Sequence, residues 1–107
     1  MQTDNKTLFD NISKTFSLAV HPSIGETERK QYLQQGILLR ARFISLMSAV
    51  FTDGTKEVKD ANAEIKKVNL RLKEKLNNIN AIANVVADLS KLVGILDELF
   101  QLPFTFV

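Results

Sequence analysis

The sequence has no cysteine and no tryptophan, and it contains a single histidine among 107 residues. Without cysteine the chain can form no disulfide, no thiolate metal site and no thiol nucleophile, which fits a cytoplasmic protein. His21 alone provides too few ligands for a transition-metal site and too few partners for Ser–His catalysis. We therefore predict no catalytic residue, no cofactor and no metal ligand, and we expect that the protein is not an enzyme.

Long uncharged apolar runs are also missing. The most apolar stretch, 79–102, is interrupted by four charged residues, and a charge near the centre of a bilayer-spanning helix is costly. The N-terminal segment has neither the apolar core nor the small-residue cleavage site of a secretory signal peptide. The sequence thus predicts one domain over residues 1–107, without a membrane span.

The net charge of +2 conceals a basic stretch over residues 56–76, where lysine and arginine outnumber the acids. Alternating signs along one helix usually indicate a solvated face, and no aromatic residue lies in this stretch to stack on nucleic-acid bases. We therefore regard nucleic acid as an unlikely partner. Binding through residues 56–75 is the weakest of three functional hypotheses.

Glycine and proline are few, and their positions divide the chain into three predicted helices. Apolar residues at helical spacing predict the first helix over about 4–20. Ser23 and Glu26 have the spacing of a capping box, which predicts a second helix over 23–52. Gly54 suits a left-handed turn before the third helix.

The second helix carries two apolar rows, so we expect it to be central. The first row is Tyr32, Gly36, Leu39, Phe43, Leu46 and Val50, and the second is Leu33, Ile37, Ile44, Met47 and Phe51, interrupted by Arg40. Two such rows are more than one neighbouring helix can cover.

The third helix gives the strongest pattern in the sequence. From Val58 to Phe100, every a and d position of a heptad repeat is apolar except Lys75. This pattern predicts one coiled-coil-like helix over 55–101, about 70 Å long if unbroken. Asparagines that follow Lys75 lower helix propensity, and we expect a bend there rather than a break. No segment alternates long enough to predict a strand.

Two all-α arrangements fit these helices. In an antiparallel hairpin folded at Gly54, the first helix continues the direction of the second, and the outer row of the second helix stays exposed. In a three-helix bundle the first helix folds back, and residues 82–102 project. We favour the hairpin. Because both arrangements expose more apolar surface than a monomer usually does, we expect a homo-oligomer, most simply a dimer.

We assign the interface to the C-terminal half of the third helix, where the apolar strip widens as the g positions change from charged to aliphatic residues. Aromatic residues after the helix-ending proline either fold over the end of the bundle or dock on another protein. The predicted interface residues for self-association and partner binding are Val85, Leu92, Ile95, Leu99, Phe104 and Phe106.

These patterns favour a non-enzymatic helical interaction or scaffold protein that acts through coiled-coil self-association and helix-mediated binding of a protein partner. A length near 100 residues and a central turn also suit a second hypothesis. This is a small helical-hairpin protein that is secreted, or serves a secretion system, without a cleaved signal peptide.

Overall fold

The structure, a computed structural model, describes all residues 1–107. Its elements in chain order are α1 (Asn5–Ala19), α2 (Glu26–Leu46), β1 (Ala49–Phe51), α3 (Thr55–Asn77), α4 (Val86–Leu99) and β2 (Phe104–Phe106). The predicted all-α class is confirmed in outline, because helices make up most of the chain. The count of three helices is wrong, since there are four helices and a short two-stranded sheet.

The four helices form a bundle in which α1 and α4 each pack against both α2 and α3. The helix α1 runs antiparallel to α2, because the Asn5 side-chain amide donates to the Leu46 carbonyl while Phe16 lies on Gly36. The helix α4 runs parallel to α2, with Arg42 bonded to Asp97. The favoured hairpin is therefore wrong, because α1 folds back on α2. The alternative bundle is correct on that point but wrong in letting 82–102 project.

The single helix predicted over 55–101 is also wrong, because the chain leaves the helix after Asn77 and resumes it at Val86. Lys75, which is only 5% exposed, holds this break. Its ammonium donates to the Ile79 carbonyl at 2.9 Å and to the Ile82 carbonyl at 2.8 Å. These bonds satisfy carbonyls beyond the helix end, so the segment 78–85 turns the chain back and α4 packs antiparallel to α3.

The predicted capping box of α2 does not form. Gly25 is the residue that precedes the helix, and no side chain caps it. The Ser23 amide instead donates to His21 Nδ1 at 3.1 Å, which places both residues in a local turn. The helix also ends at Leu46, short of the predicted residue 52, because the residues that follow it pair with the C-terminal tail.

The C-terminal tail folds over one end of the bundle, where β2 pairs antiparallel with β1. On the other side of β1, the Phe51 amide donates to the Met1 carbonyl at 2.8 Å and the N-terminal ammonium donates to the Phe51 carbonyl at 2.7 Å. Phe104 packs its ring against Phe51 and Phe100. Gly54 follows with φ of 73°, the left-handed turn expected from the sequence. The strands depend on partners about fifty residues away, so local periodicity does not predict them.

None of the four helices is both long and apolar enough to cross a membrane.

A buried polar cluster joins α2 to the break between α3 and α4. Lys75 Nζ lies 3.7 Å from a Glu28 carboxylate oxygen, and the Val85 amide donates to the Tyr32 hydroxyl at 3.2 Å. Burial raises the pKa of Tyr32 to about 12, and the neighbouring Glu28 carboxylate also favours the neutral phenol. The cluster therefore fixes the position of the break against α2.

We expect Lys75→Met to lower the free energy of unfolding by about 1–3 kcal/mol, because two carbonyls lose their hydrogen-bond donor and the Glu28 carboxylate loses its ion-pair partner. Urea unfolding followed by circular dichroism measures this change. Lys73→Met is the matched control, since Lys73 is exposed on the same helix. Equal stability of the two variants would show that Lys75 does not hold the break.

Tyr32 should ionise at higher pH in the folded chain than in the unfolded chain. Its folded pKa of about 12 exceeds the ordinary value of 10.0. Its contribution to stability is thus complete below about pH 10 and is lost as the pH rises toward 12. Because the chain has one tyrosine and no tryptophan, tyrosinate absorbance reports on Tyr32 alone. Identical titration curves in buffer and in urea would contradict this expectation.

Candidate interaction surface

The structure separates the six predicted interface residues. Val85, Leu92 and Leu99 are buried in the core of the chain itself. The break after α3 returns α4 onto α2 and α3, so the wide apolar strip is covered within one copy. The surface of a single copy therefore does not expose these three side chains. Self-association itself stays a prediction.

The other three predicted residues lie at the edge of the bundle. Ile95 is half-buried in a groove of about 290 Å³ between α3 and α4, which also includes the carboxylates of Glu57, Asp60, Glu64 and Glu98. Phe104 is half-buried in the aromatic cluster, and Phe106 is 64% exposed on the sheet. These residues do not form one continuous surface.

A continuous apolar row is exposed on α2 instead. Leu33, Ile37, Ile44 and Met47 are between 46% and 59% exposed, with the exposed Arg40 in the middle of the row. We call these five residues the α2 seam. The adjacent row of α2 buries Tyr32, Gly36, Leu39 and Leu46 in the core. The sequence identified both rows, but spacing alone does not show which of them the fold covers.

The helix α1 extends this apolar face on one side of the seam. Phe9 is 54% exposed, and its ring centroid lies 5.8 Å from that of Phe43. Phe16 packs so closely on α2 that a Cβ atom at Gly36 would lie 2.9 Å from its Cε1 atom. A groove of about 410 Å³ runs between the helices; its residues are Phe9, Ile12, Ser13, Phe16, Arg40, Phe43 and Ile44.

The apolar area of this face matches that of the largest apolar patch on a typical monomer. Phe9 and the four apolar residues of the α2 seam are each about half exposed. A large aromatic side chain has roughly 150–250 Å² of surface and the other side chains have somewhat less, so the five together expose on the order of 500 Å² of apolar surface. The largest apolar patch on a typical monomer is about 300–600 Å² and often has a function. We call Phe9 together with the α2 seam the α1/α2 face.

Arg40 is the one charged residue of the α2 seam, and it forms no ion pair. Arg42, two residues later, lies on the side of α2 next to α4. Its Nε atom donates to Asp97 at 2.7 Å, and this bond raises the pKa of Arg42. The α1/α2 face is therefore apolar with one unneutralised positive charge near its centre.

The basic stretch is partly neutralised within the chain. Lys56 Nζ lies 2.8 Å from an Asp60 oxygen, Arg71 lies 3.4 Å from Asp88, and Lys75 is buried. The lysines that remain exposed without an ion pair are Lys59, Lys66, Lys67 and Lys73. No three His, Asp or Glu side chains are grouped in a way that would hold a metal ion.

Comparison with protein-family models, curated proteins and solved structures finds no match to this chain. The functional argument therefore depends on the geometry and chemistry of the surface.

We expect duplex DNA to bind no more tightly than the roughly 10⁻⁴–10⁻⁶ M typical of non-specific contacts at physiological salt, because few unpaired lysines line α3. A fluorescence anisotropy titration tests this expectation. Sub-micromolar binding by the wild type that disappears in a Lys66→Ala, Lys67→Ala, Lys73→Ala variant would support the nucleic-acid hypothesis instead.

Proposed function

We propose that this protein is a non-enzymatic helical interaction protein and that the α1/α2 face is its contact surface. The observation that carries the proposal is the row of half-exposed apolar side chains along α2, from Leu33 to Met47. These residues are spaced for contact with another helix, and no helix of the same chain covers them.

Energetics support a contact role for this face. Burial of the exposed half of each apolar side chain contributes about 1 kcal/mol. The five side chains together reach only the lower end of the roughly 4–15 kcal/mol that association costs. A stable complex therefore requires a partner with apolar surface of its own, as expected for a second amphipathic helix.

The fold also suits a scaffold, because the contact surface and the core use different residues of the same helix. Tyr32, Leu39 and Leu46 anchor α2 in the bundle, while the seam residues face away from it. Changes in the seam should therefore alter binding without unfolding the chain.

Site-specific photo-cross-linking in the cells that make the protein tests this proposal. A benzophenone amino acid in place of Ile44 should give discrete protein adducts, identified by mass spectrometry. Leu70 is the matched control, since it is 61% exposed against 59% for Ile44 but lies on α3. We expect several-fold more adduct from position 44 than from position 70.

An adduct with any protein, a second copy of the chain included, supports the proposed contact surface. Equal or lower yield at position 44 than at position 70 would overturn it.

A further inference from the structure

We propose that the α2 seam binds the same seam of a second copy, with the two α2 helices antiparallel about a two-fold axis. This inference rests on the proposed function and names its partner. It rests on the spacing of the seam, the position of Arg40, the ends of the helix and the available area.

The seam has the spacing of a coiled coil. Leu33, Ile37, Arg40, Ile44 and Met47 follow one another at intervals of four, three, four and three residues. Isoleucines thus occupy a positions, and Leu33 and Met47 occupy d positions. The helix α2 spans Glu26–Leu46, about 31 Å, which holds the row from Leu33 to Ile44, and Met47 follows as the C-cap residue with helical φ and ψ.

Arg40 selects the direction of pairing. A parallel pair in register would place Arg40 against Arg40 of the second copy, where two like charges repel. An antiparallel pair avoids this contact. The intervals from Leu33 to Ile44 are four, three and four, which read the same in both directions. Leu33 then faces Ile44 of the second copy, and Ile37 faces Arg40 of the second copy.

The ends of α2 agree with this register. The antiparallel register places Lys30 opposite Met47 of the second copy, next to the C-terminal end of the second copy's α2. The last turn of α2 contains no basic residue of its own. A lysine there is favourable because the C-terminus of a helix carries partial negative charge. A shift by one heptad in one direction would leave Leu33 beyond the end of the partner helix, and a shift in the other direction would place Arg40 opposite Lys30 of the second copy, where like charges repel.

The area is sufficient for a modest dimer. Two apolar faces of about 500 Å² each, with the polar atoms around them, approach the lower end of the roughly 1,200–2,000 Å² that stable interfaces bury. Phe9 and the groove beside it lie on the same face. The aromatic ring can therefore contribute to the same contact.

Sedimentation equilibrium on the full chain measures the dissociation constant of the dimer. The same measurement on three variants tests which residues of the two α2 helices face each other. Ile44→Glu should weaken the dimer by about 100-fold or more, because it buries a carboxylate against Leu33 of the second copy. Ile37→Glu should weaken it by less than about tenfold, because Arg40 of the second copy neutralises the new charge. Leu70→Glu on α3 should have no effect. Circular dichroism confirms that each variant is folded.

Disulfide formation tests the direction, since the chain has no cysteine of its own. A mixture of Leu33→Cys and Ile44→Cys chains should give mainly the 33–44 disulfide, identified by peptide mass spectrometry. Leu33→Cys chains alone should cross-link poorly, because the two sulfurs lie near opposite ends of the pair. A dominant 33–33 disulfide would show parallel pairing and overturn the register.

A wild-type chain that remains monomeric at about 100 µM, well above the micromolar range of modest dimers, overturns this inference. So does a dimer that Ile44→Glu leaves intact. Neither result affects the proposed function if position 44 still cross-links to a different protein in cells. Loss of both the dimer and the cellular adducts would overturn the two proposals together.

Discussion

The buried ammonium of Lys75 is the interaction on which the rest of the architecture depends. It donates to two carbonyls of the segment that follows α3 and lies close to the Glu28 carboxylate of α2. A lysine so deeply buried is stable only if its charge is compensated in this way. The two carbonyls that compensate the charge belong to residues that follow the end of α3. The charge of Lys75 and the break after Asn77 therefore require each other.

The break decides which apolar surface becomes the core. Once α4 returns along α3, its aliphatic strip fills the centre of a four-helix bundle, and Leu92 and Leu99 are covered by the same chain. The helix α2 now has neighbours on its inner side only. Its second apolar row is left on the outside, and this row provides the contact surface for which we propose a function.

The two adjacent apolar rows of α2 explain why spacing alone favours a different helix as the interface. The two rows of α2 are offset by one residue and lie about 100° apart around the helix, so together they form one wide stripe, whereas the third predicted helix shows one continuous heptad pattern. Leu92 and Ile37 are equally plausible contact residues by spacing. Leu92 is buried within the chain, and Ile37 is 56% exposed. Only the packing of the fourth helix distinguishes them.

The sequence by itself determined the features that depend on neighbours a few residues apart. These are the helical class, the first helix, the left-handed turn at Gly54 and the two apolar rows of α2. Tertiary structure decided the break at 78–85, the pairing of β1 with β2, and the choice of buried row. Each of these depends on contacts between distant segments, and local propensity carries no information about which distant groups will meet.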